Sequence, residues 1–146
     1  MSKAFFKEDT VPEDGPAIAT RPSEPLPITR EGYERLLSEL NAIAKDDEAK
    51  KTRSLTLKTI LATVRIVEAA REDGGVGFGC EVDITDDDDR SRTFRIVGPD
   101  EVDALRGRIS AESPVGQALM RAREGEEVEV ERAGRTENWR IVRIRA

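Results

Sequence analysis

The chain has a single cysteine, no histidine, few aromatic residues and no long apolar run. One cysteine excludes an intramolecular disulfide framework. Cys80 lies in an alternating apolar stretch, where a thiol packs as a small hydrophobe, so it is expected in the core and not as a nucleophile. The start, MSKAFFKEDT, lacks the apolar segment of a signal peptide, and no stretch approaches the roughly 20 residues that span a membrane. A soluble, cytoplasmic protein is the expectation. Positive charge is short as well. The net charge is −6, with no histidine to offset it, which excludes broad electrostatic binding of DNA or RNA as the main activity. What is present is 146 residues, 37% hydrophobic and 37% charged, enough for one ordinary domain with a modest core, a charged surface and short appendages.

The composition divides the chain into three parts. Residues 1–27 hold five of the seven prolines, interleaved with charges and small residues, and contain Phe5 and Phe6. Such a segment buries too little apolar surface to offset its ordering entropy and reads as a disordered, proline-rich tail. Residues 28–73 carry two apolar stripes at helical spacing. The first runs Tyr33, Leu36, Leu37, Leu40, Ile43, with Thr29 as N-cap and Glu31 in the first turn, where negative charge suits the helix dipole. The second runs Leu57, Ile60, Leu61, Val64, after the charged stretch KDDEAKKTRS. Two such helices joined by a polar turn are expected to form a short antiparallel hairpin, the first helix reaching from Arg30 to Asp46, about 25 Å. The segment RIVEAA, residues 65–70, fits either a helix end or extended chain.

Residues 74–146 read as strands around one helix. Cys80, Val82 and Ile84 alternate with Glu81, Asp83 and Thr85, and the alternation restarts at Phe94 and Ile96. Between them stand Asp86, Asp87, Asp88 and Asp89. Adjacent carboxylates invite hard cations, yet the run lacks the glycine and distal glutamate of an EF-hand loop, and a solvated hairpin tip is expected. Near the end, EVEVE precedes WRIVRIR, an acidic strand face followed by a basic one, as an antiparallel pair with cross-strand ion pairs requires. The apolar phase slips between Ile141 and Val142, which points to a bulge or to burial on both faces.

The stretch ISAESPVGQALMRAREGEEVEV, residues 109–130, is the most sharply punctuated. Ser113 suits an N-cap and Pro114 the first helical position, where a missing N–H costs nothing. Val115, Leu119 and Ala122 then face the sheet, and Gly125 is placed to end the helix. Helix initiation leaves Glu112 unexplained, beside a corner where a partner could read carboxylate, hydroxyl and proline together.

Several phrases carry a family resemblance: ITREGYERLLSEL, FGCEVDI, TFRIVGPDEVDA, ISAESPVGQALM, EGEEVEVE and WRIVRI occur in order over residues 28–146. Together they resemble the bacterial Gre transcript-cleavage factors, in several phrases the GreB branch. The resemblance implies an α+β fold, with an N-terminal antiparallel coiled coil followed by an FKBP-like antiparallel sheet with one helix. It further implies a partner, RNA polymerase, whose secondary-channel rim is gripped by the C-terminal domain while the hairpin enters the channel. Glu112, Ser113 and Pro114 match the acid-Ser-Pro corner that takes part in this grip.

The match breaks at the hairpin. Active Gre factors carry a phrase like G-D-x-S-E-N-A between the helices, whose carboxylates help hold catalytic magnesium in the polymerase. Nothing like it lies between Leu40 and Leu57, and the hairpin is shorter. Asp46, Asp47 and Glu48 stand at the expected tip in a different context, and are weak candidates for cleavage chemistry. The expectation is therefore a polymerase-binding elongation regulator of Gre type that is not itself an enzyme and stimulates little cleavage. It would act as a monomer, with no cofactor beyond magnesium in the polymerase and no membrane partner, and would meet nucleic acid only through the elongation complex. Two alternatives are an active GreB-like cleavage factor using the acidic tip, and a regulator similar to the short-hairpin regulators of nucleoside diphosphate kinase. A prolyl isomerase, suggested by an FKBP-like fold alone, needs an aromatic pocket, and Tyr33, Phe78, Phe94 and Trp139 are the whole aromatic stock outside the tail.

Overall fold

In a computed structural model, residues 21–146 of the chain are described. The first twenty positions of the proline-rich segment, with Phe5 and Phe6, lie outside the described residues. The remainder departs from the expected tail. Arg21 is buried in an ion pair, and Leu26–Ile28 forms strand β1. Proline at position 27 is tolerated because β1 is one strand of a two-stranded parallel pair, where a proline can sit at an edge.

Helix α1 spans Arg30–Ala42 and α2 spans Lys51–Ala62. Thr29 caps α1 as expected, its hydroxyl accepting the Gly32 N–H. The helix stops four residues before Asp46, with Ile43 extended, because no apolar residue continues the stripe into AKDDE. Arg53, early in α2, bonds Glu39, late in α1. Leu36, Leu57, Ile60 and Ile28 form a small buried cluster, with Tyr33, Leu40, Ile43 and Leu61 packed around it. RIVEAA resolves as extended chain. Strand β2, Val64–Ile66, lies beside β1 in register Leu26↔Val64.

Strands β3 (Glu81–Thr85), β4 (Ser91–Val97), β5 (Arg108–Ser110), β6 (Glu127–Arg132) and β7 (Arg135–Arg145) form one sheet, ordered β5-β4-β3-β7-β6. Alternation along β3 buries Val82 and Ile84, and along β4 it buries Phe94 and Ile96. The phase slip in the last strand is a bulge. Asp83 pairs with Arg143 and Ile84 with Ile141, leaving Val142 unpaired and half exposed. The expected charge pairing across β6 and β7 also forms, Glu127 with Arg140. Trp139, fully buried, stacks on Phe94 with ring centroids 5.1 Å apart. Cys80 is buried in the same core.

The sheet is mixed, not purely antiparallel as expected. After β4 the chain folds through two 3-10 turns, Pro99–Glu101 and Ala104–Arg106, and comes back alongside the last three residues of β4, so β5 runs parallel to it in register Arg95↔Arg108. Helix α3 is Pro114–Leu119, and Leu119 and Ala122 cover the sheet. It ends at Leu119 with Met120 as C-cap, well before Gly125, because Arg121 takes a left-handed φ of 68° and its N–H bonds the Val76 carbonyl. Among the described residues no helix is long and apolar enough to cross a membrane.

Candidate functional site

Glu112, Ser113 and Pro114 stand where β5 gives way to α3, and hydrogen bonds brace the corner on both sides. The Ser113 hydroxyl accepts the Gly116 N–H at 3.0 Å and donates to the Ser110 carbonyl at 2.7 Å. The Ser110 hydroxyl accepts the Glu112 N–H at 3.0 Å, and the Gln117 amide donates to the Glu112 carbonyl. Gly116 is required here, since a Cβ would lie 1.9 Å from the Ser110 carbonyl oxygen. The serine is thus absorbed by the fold. Glu112 and Pro114 are exposed, and the Glu112 carboxylate has no hydrogen bond or ion pair among the described residues. The corner can therefore offer a partner one unpaired carboxylate and one apolar ring on a fixed backbone.

Asp46, Asp47 and Glu48 do not assemble into a site. Asp47 caps the 3-10 turn Glu48–Lys50, its Oδ1 accepting the N–H groups of Ala49 and Lys50. Asp46 and Glu48 are exposed beside it. No group of three or more metal-ligating side chains forms among the described residues. A magnesium ion needs convergent oxygens in near-octahedral geometry, and a carboxylate already serving two backbone donors is poorly placed to give one. The donor set does not fit the metal. The tip is also set apart from the C-terminal sheet, as the thirteen residues of α1 cover about 20 Å.

The Asp86–Asp89 run is likewise structural, and its first member is not solvated as expected. Asp86 is buried, and its Oδ1 accepts the N–H groups of Asp88 and Arg90, both at 2.9 Å. Those bonds, the Arg90 N–H foremost, hold its carboxyl below the usual carboxylate range. Asp88 pairs with Arg90, and Asp87 accepts the Asn138 N–H.

Sequence reasoning missed the joint between the two cores. Asp100 and Glu101 are buried on the turn after β4. Asp100 takes a bidentate pair from Arg21 at 2.7 and 2.8 Å, and Arg21 also donates to the Thr63 hydroxyl behind α2. Glu101 accepts the Thr29 N–H at 2.8 Å, the Gly98 N–H at 2.9 Å and the Thr29 hydroxyl. Two adjacent carboxylates thereby fix the N-cap of α1 and the end of α2 to the sheet. The only local signal was an acidic pair following Gly-Pro, which reads equally well as an exposed turn.

Comparison with known proteins agrees with this layout. The family model described as transcription elongation factor, GreA/GreB, C-term, matches residues 71–146, the segment that contains the corner and the whole five-stranded sheet. The chain is 30% identical to transcription elongation factor GreA of Paracoccus denitrificans (strain Pd 1222) over 153 aligned positions, covering 84% of this chain and 98% of that protein. That alignment has more positions than this chain has residues, so it opens gaps here. GreA of Methylobacterium sp. (strain 4-46) is 34% identical over 119 residues, covering 76% of this chain and 75% of the relative. Among solved structures, GreA factor homolog 1 (Gfh1) of Thermus thermophilus matches at 23% identity with a TM-score of 0.47, covering 84% of this chain and 100% of that one, a likeness too loose to carry an argument. With more than half of its residues matched by the family model and most of its length by curated relatives, the chain belongs to the GreA/GreB family of transcription elongation factors.

Proposed function

We propose that this chain binds RNA polymerase and regulates elongation by docking its Glu112–Ser113–Pro114 corner on the secondary-channel rim, without efficiently supplying cleavage chemistry. The contrast between corner and tip carries this reading. At the corner the backbone is braced and the Glu112 carboxylate is left unpaired, which is the form of a surface that recognises a basic group. At the tip Asp47 is spent on capping, and Asp46 and Glu48 do not converge with it. The helices α1 and α2, of thirteen and twelve residues, act as a shortened form of the family's coiled coil. The chain is then a competitor for the docking place and not a donor of metal ligands.

The test adds the full chain to backtracked elongation complexes with magnesium, and scores RNA cleavage together with displacement of an active Gre factor. Displacement with cleavage near the unassisted rate is the expected outcome. Cleavage at the rate of an active factor, abolished by changing Asp46, Asp47 and Glu48 to alanine, would establish the active alternative instead.

A further inference from the structure

A notch of about 130 Å³ opens between α1 and the β4–β5 pair, lined by Glu31, Arg35, Arg95, Glu101 and Arg108 over Val97. Its carboxylates are already committed. Glu31 pairs with Arg95, while Glu101 is held by two backbone N–H groups and the Thr29 hydroxyl. Arg35, exposed at the rim, and Arg108, half-buried, have no carboxylate bonded to them among the described residues. Burial first, and then the neighbouring charge of Arg108, push the Arg35 guanidinium below its usual basicity, against the opposing pull of the Glu101 and Glu31 carboxylates. Arg106, whose charge adds to theirs, is itself paired with Asp103. The notch is lined by three guanidiniums against two carboxylates, so it keeps a positive excess in a chain of net charge −6, and Arg35 and Arg108 repel each other across it.

We propose that this notch is a binding site for a phosphate-sized oxyanion, gripped between Arg35 of α1 and Arg108 of β5. A guanidinium presents its donors as a planar fork suited to two oxygens at once, and two forks facing one cavity match an anion with several oxygens better than a lone carboxylate. The volume suffices, since a single water needs only roughly 10–15 Å³ on this measure. Occupancy offsets the repulsion and ties α1 to the sheet at a further place, beside the Thr29–Glu101 bonds and the Glu31–Arg95 pair. The site neither uses the corner nor requires polymerase.

The experiment titrates inorganic phosphate into the full chain at fixed ionic strength, with chloride as the balancing ion, and follows heat and phosphorus NMR line shape. One saturable site is expected, with acetate binding more weakly. Arg35→Gln and Arg108→Gln should each weaken phosphate binding about tenfold or more, the loss of a charge-assisted contact. Arg143→Gln, on the exposed face of β7, should leave it unchanged. The notch variants should melt close to the parent without phosphate, because Arg35 is exposed, Arg108 is half-buried and neither has a carboxylate bonded to it among the described residues, so weaker binding could not be ascribed to unfolding. Equal affinity in parent and notch variants, or acetate binding as tightly as phosphate, would overturn the assignment.

Discussion

Asp100 and Arg21 meet with side chains 0% and 4% exposed, so neither charge can turn to water if the other is lost. Removing one partner of a buried pair typically costs about 3–5 kcal/mol, since the remaining ion stays desolvated. Asp100→Ala should destabilise the chain by that order, read as a shift in denaturant midpoint with unchanged slope. The double substitution Arg21→Met with Asp100→Leu should recover most of the loss, because it leaves no buried charge behind. Equal losses in the single and double variants would mean that the pair contributes shape and not charge compensation. Gly32 answers to the same joint. A Cβ there would come within 2.0 Å of Glu101 Oε1, so Gly32→Ala must push that carboxylate off the Thr29 cap despite alanine's better helix propensity. It should lower the melting temperature, where an alanine at an open helical glycine would raise it.

The β3–β4 hairpin shows what an element can hide in a charge run. Its turn is built on Asp86, whose folded-state pKa lies below the ordinary value because backbone N–H groups and the charges of Arg90 and Arg92 favour the ionised form. A depressed carboxyl pKa contributes stability that is complete above the unfolded value near 4, and is lost as pH falls through the folded value. Asp86→Asn keeps an acceptor oxygen for the turn but cannot titrate. Its melting temperature should therefore lie below the parent's at pH 6, and the gap should narrow as pH falls toward 3. A constant gap would locate the effect of Asp86 in shape alone. Elements such as this hairpin were legible because strand burial alternates, so Val82, Ile84, Phe94 and Ile96 declared one face. The caps at Thr29 and Ser113 and the bulge at Val142 were legible for equally local reasons. The parallel placement of β5 and the ordering of Arg21–Ile28 were not. Both depend on partners distant in sequence, Arg95 for Arg108 and Asp100 for Arg21, which no spacing announces. For the candidate site, the corner was readable as a cap, whereas the commitment of Asp47 to backbone donors emerged only with the turn itself.

At the scale of the whole molecule, the described residues form two small cores, one under the helices and one under the sheet, joined by the Asp100–Glu101 turn. Docking through the corner and support for the fold are consequently separable, because the corner lies on the far side of β5 from that turn in sequence and shares no bond with it. Ser113→Ala removes a cap that accepts the Gly116 N–H and donates to the Ser110 carbonyl, and should cost about 0.5–2 kcal/mol of stability. Glu112 is exposed and bonds the fold only through its backbone, so Glu112→Lys should stay within about 0.5 kcal/mol of the parent. If the carboxylate meets a basic group on polymerase, that same reversal sets like charges together. Affinity for polymerase should then fall several-fold, and more at low than at high salt, since exposed charges are screened over roughly 10 Å at 0.1 M. The paired measurement is thermal melting of both variants and their binding to core polymerase at two salt concentrations. Glu112→Lys with parental melting and weakened, salt-dependent binding supports docking through the corner. Parental affinity for Glu112→Lys would reduce the corner to helix capping and move the search to the exposed faces of β6 and β7.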